Sequence, residues 1–316
     1  MAERLAVVAL GGNAIAGRGL SLDLNSQWTS VASAARGIVS MLEEGWSVVV
    51  THGNGPQVGY LAEAMEALPP DSPRQPLYLA TAMTQGWIGY MLMQAIEGEM
   101  VRRGLEGGVS VIVTRVLVDG SDPEFRSPSK PIGKIYSEEE ALALSKSKGW
   151  IFRRDPRGGY RRVVPSPRPI SVLETRRVKA LLESNRVVVA VGGGGVPVVE
   201  EGGVLVPVEA VVDKDLASSV LAIEAGADVF AILTDVPGVA LDFGGPDERW
   251  LDEVLVEDLK RYLDEGHFPP GSMGPKVEAA VLFVERACRP AAIGSLEDAE
   301  LVVSMKRGTR VLPGKC

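Results

Sequence analysis

The sequence predicts an α/β fold, a three-layer αβα sandwich with a central, mostly parallel sheet. Short apolar runs of strand length, such as residues 5–10 (LAVVAL) and 46–51 (WSVVVT), alternate with segments whose apolar residues repeat at helical spacing. Continuous apolar runs are typical of parallel strands buried on both faces. Alternation of this kind over 316 residues favours one large domain with helices on both sides of the sheet.

The predicted elements follow this alternation along the chain. Gly45 is a natural helix stop after the first helix, and Pro56 suits the first turn of the second. Strands are predicted at residues 5–10, 46–51, 109–113, 186–191, 229–233 and 291–293, and helices at residues 28–42, 58–67, 77–103, 214–225, 253–263 and 274–288.

Residues 119–169 interrupt the pattern. This stretch is rich in proline, has helical periodicity only at residues 137–148, and carries five arginines between residues 153 and 162. Frequent prolines with little helical periodicity indicate short strands and loops. We predict a small protruding subdomain inserted within a single domain of residues 1–316, and we interpret the arginines as a solvated loop.

Composition excludes several classes of function. The net charge of −8 argues against binding to nucleic acid or to an anionic membrane surface, since both require excess Lys and Arg. Two His and two Cys are too few for a convincing zinc site. No apolar run is long enough for a signal or transmembrane segment. We therefore expect a cytoplasmic protein that acts on small molecules.

Three predicted strands end in glycine-rich turns. These are Gly11-Gly12-Asn13, Gly53-Asn54-Gly55 and the four glycines at residues 192–195. Ligands of open parallel sheets bind beyond the carboxyl ends of the strands. Glycine there lets backbone N–H groups approach phosphate oxygens, with a helix N-terminus behind them. Three such turns in one chain predict a phosphate site.

The known nucleotide-binding signatures are missing. The sequence contains no G-x-x-x-x-G-K-[ST] loop and no strand-G-x-G-x-x-G-helix unit. The protein-kinase motifs and the G-x-S-x-G elbow are also lacking. The chain therefore belongs neither to the P-loop enzymes nor to the dinucleotide-binding folds.

Lysines stand at unusual places in the predicted helices. Lys214 lies between Asp213 and Asp215 at a helix start, and Lys276 lies in the first turn of an apolar helix. A cation there opposes the helix dipole, which suggests a nearby anion that needs it. Lys130 would by itself be only a loop lysine, and His52 is more typical of a structural histidine.

These motifs resemble those of one family, the carbamate kinases. The matching blocks keep the family order and span essentially the whole chain. They are ALGGNAI from Ala9, THGNGPQVG from Thr51, AMTQGWIGYML from Ala82, KPIGKIY from Lys130, RRVVPSPRP from Arg161, GGGGVPV from Gly192, EAVVDKDLASSVLA from Glu209, ILTDVPGV from Ile232 and GSMGPKVEAA from Gly271.

The resemblance implies the amino-acid-kinase fold, a homodimer, and the reaction of ATP and carbamate to ADP and carbamoyl phosphate with Mg²⁺. Carbamate is already an anion, so its oxygen needs no general base. The enzyme's task is then to align two anions and to cancel their repulsion. The direction of the reaction in the cell stays open.

The resemblance also implies roles for individual residues. Lys214 and Lys276 would stabilise the transferring phosphoryl group, Asp215 would orient both lysines, and Lys130 would reach from the subdomain toward carbamate. The phosphoryl-transfer site would be lined by Gly11, Gly12, Asn13, Gly53, Asn54 and Gly55, and the nucleotide by Asp213, Thr234, Asp235, Val236, Met273, Gly274 and Lys276.

Three positions depart from the family pattern: Lys134 replaces a proline, Ala240 an aromatic residue and Pro207 a glycine. Two rival hypotheses remain. One is a kinase of the same fold that acts on an acyl carboxylate, a nucleoside monophosphate or an isoprenoid phosphate. The other is a catalytically silent binding module. The long motifs argue against the first, and the retained lysines against the second.

Overall fold

A computed structural model of the chain describes residues 4–315 apart from 13, 14, 16–21, 70, 74 and 269–272. In chain order the strands are β1 (Arg4–Leu10), β2 (Trp46–His52), β3 (Val109–Val111), β4 (Arg115–Val118), β5 (Lys130–Tyr136), β6 (Ile151–Arg154), β7 (Tyr160–Val164), β8 (Pro169–Val172), β9 (Val187–Val189), β10 (Val196–Glu201), β11 (Val204–Pro207), β12 (Val229–Thr234), β13 (Val239–Leu241), β14 (Arg249–Leu251), β15 (Glu253–Leu255), β16 (Ala291–Ser295) and β17 (Thr309–Leu312).

The helices interleave with these strands. They are α1 (Leu24–Glu43), α2 (Gly55–Glu66), α3 (Leu77–Arg102), α4 (Glu138–Lys148), α5 (Thr175–Leu182), α6 (Lys214–Ala225), α7 (Val256–Asp264), α8 (Met273–Ala287) and α9 (Ala299–Val303). No helix in the described ranges is both long and apolar enough to cross a lipid bilayer.

A large sheet organises the molecule. Its strand order across the described residues is β15-β17-β16-β12-β1-β2-β9-β3. Every neighbouring pair is parallel except β16 and β17. The ends of β1, β2, β9 and β12 therefore meet at one edge of the sheet, where the glycine turns begin.

Alternate residues of each central strand pack into separate cores. On β1, Val7 and Ala9 join a cluster with residues of α6, α7 and α8. Ala6, Val8 and Leu10 join a second cluster, with residues of α1, α3 and α9. Successive strand side chains point to opposite faces, and both faces are covered by helices, which explains the unbroken apolar runs. The predicted three-layer α/β fold is confirmed.

Two element predictions need correction. Residues 253–255 open a predicted helix but form β15, which pairs with β17, and the helix begins only at Val256. The predicted strand at 186–191 is shorter, because Val191 adopts a positive φ of 52° and ends β9 at Val189. In both cases long-range pairing or turn geometry overrides local propensity. The sequence also did not predict the separate sheet β11-β10-β4-β8.

Part of the inserted stretch forms a sheet of its own. Strands β5, β7 and β6 pair antiparallel, and α4 follows β5. This subdomain contacts α2 through a carboxylate of Glu63, which accepts the backbone N–H of Lys134 at 2.7 Å. An ion pair between Lys148 and Glu66 adds a second link. The contacts with α2 place β5 beside the carboxyl edge of the large sheet. The subdomain boundaries at residues 119 and 169 stay a prediction.

The four-glycine turn packs behind the second glycine turn. Gly193 has a φ of +64°, and a Cβ built there would collide with the side chain of Asn54. A Cβ on Gly192 would collide in the same way with the ring of His52. Both positions therefore require glycine for close packing. The turn at 192–195 supports its neighbour, and Gly193 also lines the open cleft at the carboxyl edge of the sheet.

His52 is buried within this packing. Its Nδ1 lies 3.0 Å from the carbonyl oxygen of Gly53. Burial lowers the pKa of His52 to about 4, because the imidazolium ion would lose its hydration there. The ring is therefore neutral at ordinary pH, and its role is to pack beneath the two glycine turns.

Replacing His52 with Gln is expected to remove part of the pH dependence of stability. Unfolded chains bind a proton at this histidine near pH 6.5, whereas the folded protein does so only near pH 4. The unfolded state thus binds more protons between these values, and the free energy of unfolding falls as the pH decreases through that window. The neutral, buried state of His52 accounts for a decrease of up to about 3 kcal/mol in the free energy of unfolding across this window.

Urea unfolding of wild type and H52Q at several pH values between 4 and 7 measures this difference. The control is H267Q, since His267 is the chain's other histidine and its side chain is 37% exposed. H267Q removes a histidine from an exposed position and shows how much of any change in slope is specific to His52. An unchanged slope in H52Q would contradict the neutral, buried state of this ring.

Candidate active site

A cleft of about 690 Å³ opens at the carboxyl edge of the large sheet, a size typical of small-molecule sites. One wall comes from the ends of β1, β2 and β12 and the starts of α2, α6 and α8. The facing wall comes from β5 and β7 of the subdomain. The structure thus brings most of the predicted site residues together.

The first two glycine turns form the floor of the cleft. Gly11, Gly12, Gly53, Asn54 and Gly55 all line it. A Cβ at Gly53 would stand 2.9 Å from Gly12, so the turns can touch only because this residue is glycine. Asn13 lies outside the described residues.

The glycine amides do not all face the cleft. Those of Gly11 and Gly53 donate to the carbonyls of Leu233 and Leu10, at 2.9 and 3.1 Å, and so extend the sheet. The Asn54 side chain donates to Thr84 Oγ1 at 2.8 Å. The start of α2 offers the amides of Gly55 and Gln57 to a ligand, since neither has a partner within the helix, whereas Pro56 between them has no N–H.

Asp213 connects the main domain to the subdomain. One of its carboxylate oxygens caps α6 by accepting the backbone N–H groups of Asp215 and Leu216, at 2.9 and 3.3 Å. The other accepts from Lys130 Nζ at 2.7 Å. Burial alone would raise the pKa of Asp213, but the Lys130 charge and its hydrogen bond lower it to about 2. Asp213 is thus ionised and holds Lys130 over the cleft.

Lys214 and Lys276 share a single carboxylate, that of Asp215. Lys276 Nζ lies 3.2 Å from Asp215 Oδ2, and Lys214 Nζ contacts Oδ1. The side chains of Lys214, Lys276 and Asp215 are only 11%, 17% and 4% exposed. Asp213 also favours the charged form of Lys214, and Asp213 and Asp235 that of Lys276, but neither contacts these lysines as Asp215 does. Two buried cations that contact a single carboxylate are a costly arrangement without an anionic ligand.

The pKa values of the two lysines move in opposite directions. Burial lowers the pKa of Lys214, even though Asp215 opposes the change. For Lys276 burial acts the same way, but the charge and hydrogen bond of Asp215 outweigh it, so its pKa is raised. Lys276 is therefore the more firmly protonated of the pair.

The predicted nucleotide residues divide into two groups. Asp213, Thr234, Asp235 and Lys276 line the cleft, and the Thr234 hydroxyl donates to the Asp235 carboxylate at 3.0 Å. Val236, Met273 and Gly274 do not line it. Met273 packs partly against the core cluster under α6 and α8.

Sequence reasoning overlooked one cation of the cleft, Arg161 on β7. It was assigned to a solvated arginine cluster, but its side chain is only 21% exposed and lines the cleft. The RRVVPSPRP block that begins at Arg161 was a usable signal. Glu63 and Lys134 also line the cleft, where α2 meets the subdomain.

Comparisons with known proteins agree with this geometry. The model of the amino acid kinase family matches residues 4–295. A carbamate kinase of Pyrococcus furiosus is 49% identical over 309 residues, which cover 97% of this chain and 98% of the relative. A carbamate kinase of Thermococcus kodakarensis is 50% identical, with the same coverage of both chains.

Solved structures give the same result. A crystal structure from Aeropyrum pernix K1 matches with 61% identity and a TM-score of 0.95, covering 98% of this chain and all of that one. A carbamate kinase from Giardia lamblia bound to AMP-PNP matches with 39% identity and a TM-score of 0.91, covering 99% of both chains. Taken with the retained lysines and glycine turns, these matches place the chain in the amino acid kinase family and, within it, among the carbamate kinases.

Proposed function

We propose that the enzyme transfers a phosphoryl group between ATP and carbamate mainly by compensating the charge of two anions, without a general base. The observation that carries the proposal is the pair Lys214 and Lys276 on the single carboxylate of Asp215. Their two positive charges suit a phosphoryl group whose equatorial oxygens carry the charge of the transition state. Asp215 holds the two mutually repelling lysines at the same place.

Lys130 is proposed to face carbamate from the subdomain. Its side chain is one-third exposed and points to Asp213 across the cleft. The ion pair limits the movement of Lys130, and a carbamate anion beside it would share the same cation. The two reacting anions are then held from opposite walls, which supplies alignment as well as charge compensation.

The nucleotide is proposed to lie on the main-domain wall, beside Asp213, Thr234, Asp235 and Lys276. The carbamate kinase from Giardia lamblia was solved with the ATP analogue AMP-PNP, which supports a nucleotide site in this family. The transferring phosphate would lie over Gly12 and Gly55, near the free amides at the start of α2. Val236, Met273 and Gly274 stay proposed neighbours of the nucleotide outside the cleft itself.

Mg²⁺ fits the site only together with nucleotide phosphates. The described residues contain no group of three or more His, Cys, Asp or Glu placed to hold a metal. Mg²⁺ is often bound by one or two carboxylates plus substrate phosphates, and Asp235 at the end of β12 is the carboxylate available for that arrangement. When bound, the ion would neutralise phosphate charge that the lysines do not reach.

The decisive assay is ADP-dependent formation of ATP from carbamoyl phosphate, with acetyl phosphate as a comparison donor. We expect ATP formation that is much faster with carbamoyl phosphate. A preference for acetyl phosphate would indicate an acyl-carboxylate kinase instead. ATP binding without any turnover would favour a silent binding module.

Lys214→Ala and Lys276→Ala are each expected to lower kcat roughly a hundredfold in this assay, about 3 kcal/mol of barrier. Each change removes a cation from the transferring phosphoryl group. Lys260→Ala is the control, because Lys260 forms only a surface ion pair with Glu285. The proposed roles are wrong if correctly folded variants of Lys214 and Lys276 turn over at the wild-type rate.

A homodimer is proposed through the outer face of α3. From residue 77 to 96 this helix has no charged side chain, and Leu79, Met83 and Tyr90 on it are 39–53% exposed. A helix without a polar face is normally covered by other protein. A second copy is the fitting partner, because a two-fold axis places the same uncharged surface on both sides.

Met83→Glu is expected to convert the dimer to a monomer, since two carboxylates would be buried near the two-fold axis. Size-exclusion chromatography with light scattering at micromolar concentrations measures the mass. Leu142→Glu is the matched control, as Leu142 is an exposed apolar residue of α4, on the subdomain. A monomeric wild type, or a dimeric Met83→Glu, would contradict this interface.

The cytoplasmic location of the enzyme stays a prediction from the sequence.

A further inference from the structure

Cys288 lies just beyond the end of α8, far from the cleft. Helix α8 begins at Met273, and Lys276 in its first turn lines the cleft. A rise of 1.5 Å per residue puts the far end of the helix about 20 Å from that turn. Cys288 is exposed and is disulfide-bonded. Its bond therefore takes no part in the proposed phosphoryl transfer.

The partner of Cys288 follows from the cysteine content of the chain. The sequence has two cysteines, Cys288 and Cys316, so Cys316 is the partner that one chain can offer. Cys316 lies outside the described residues, which end at Lys315. The pairing is therefore inferred from where the described residues lead the chain on each side.

The register of β16 and β17 directs the two cysteines to the same edge of the large sheet. The strands are antiparallel, with Ala291 opposite Val311. β16 begins three residues after Cys288, and β17 ends at Leu312, four residues before Cys316. Since β16 is parallel to β12, whose last residues line the cleft, both segments lie at the edge opposite the cleft.

Helices α7 and α8 bring the same two segments together. Because β15 and β16 run in opposite directions, α7 starts at the sheet edge where α8 ends. Lys260 of α7 pairs with Glu285 of α8 at 2.7 Å, and one helical turn closer to that edge lie Glu257 and Cys288. Gly314 packs against Glu257, since a Cβ built on Gly314 would collide with the Glu257 carboxylate. The described chain thus comes near Cys288 two residues before the second cysteine.

The backbone of Cys288 gives a further indication. Its φ is +50°, in the left-handed region that often follows a helix and favours glycine or asparagine. A cysteine is less favourable than glycine in this conformation. The backbone alone therefore does not account for a cysteine at this position, whereas a cross-link does.

We propose that Cys288 and Cys316 form a disulfide that fastens β17 to the end of α8. Each thiol loses one proton and one electron as the S–S bond forms, and a low-molecular-weight disulfide is reduced to two thiols in exchange. The bond closes a loop of about 28 residues, which contains β16, α9 and β17, and so lowers the entropy of the unfolded chain. Because Cys288 is exposed, a reductant in solution can reach the bond.

The strand that the bond fastens supports one wall of the cleft. Thr309 of β17 is fully buried, and its hydroxyl accepts the backbone N–H of Val239 at 2.8 Å and donates to the carbonyl of Leu251. A Cβ built on Gly238 would stand 2.7 Å from the same hydroxyl. Gly238 and Val239 follow closely after Asp235, which lines the cleft. A bond that holds β17 therefore also stabilises the turn after β12.

Mass spectrometry tests the bond directly. The protein is incubated with oxidised glutathione, unfolded without reductant in the presence of an alkylating agent, and digested with trypsin. We expect no alkylated cysteine and a peptide containing Cys288 joined to one containing Cys316, whereas prior reduction should label both. Two alkylated cysteines would overturn the proposal. A Cys288 bond between two copies, seen at twice the chain mass in non-reducing electrophoresis, would also overturn it.

Thermal unfolding in guanidinium chloride measures the effect on stability. C288S, C316S and the double variant should each lower the midpoint by about 5 °C. Reductant should lower the wild-type midpoint equally and leave the three variants unchanged. Equal losses are expected because each variant lacks the same single bond.

The matched control is Arg286→Ser, an exposed residue near the end of the same helix. It should keep both the midpoint and the response to reductant. A midpoint lowered only in C288S, with no response of wild type to reductant, would make Cys288 a packing residue and would contradict the cross-link.

The ATP-forming assay separates the bond from the reaction. Before heating, kcat of C288S and C316S should stay within about twofold of wild type, and after heating both variants should have lost more activity than wild type. A large loss of kcat in unheated variants would tie the bond to the catalytic machinery and overturn the proposal. A wild type that makes no ATP would count against the proposed function alone, because the mass and unfolding measurements do not depend on turnover.

Discussion

The site depends on holding like charges together where little water can separate them. Lys214 and Lys276 are almost fully buried, and both contact the carboxylate of Asp215 between them. Repulsion between cations grows as the local dielectric constant falls, so the arrangement is unfavourable by itself. In the proposed mechanism, the same positive charges would attract a phosphate group that entered the cleft.

The fold makes this arrangement possible by covering both faces of the large sheet. Helices over both cores leave the carboxyl edge of the strands as the open side of the main domain. Helix α6 begins at that edge with Asp213 as its cap, which fixes the direction of the Asp213 side chain and places Lys214 and Asp215 in the first turn. Glycine at positions 53 and 193 lets the neighbouring turns pack closely enough to form a continuous floor.

The subdomain completes the cleft from the other side. Its contacts with α2, through Glu63 and Glu66, orient β5 and β7 toward the glycine turns. Lys130 and Arg161 then face the cluster on the main domain across the cleft. In the proposed mechanism, reactants that repel one another in water would meet cations on both walls, and the two halves of the chain would divide the charge compensation between them. The insertion of short strands would then take part in binding the reactants.

The sequence by itself determined the layered fold and most of the site. Unbroken apolar strands encode burial on both faces, and Lys214 and Lys276 could be selected because each opposes a helix dipole. Only the tertiary structure decided which of these residues meet. The strand β15 depends on pairing with β17, far along the chain, and the third glycine turn packs against Asn54 while its Gly193 lines the cleft. Arg161 looked like a solvated loop residue, since its burial arises only when β7 packs beside the cleft. Local patterns record which face of an element is apolar, whereas contacts between distant segments are set by packing that no short stretch of sequence contains.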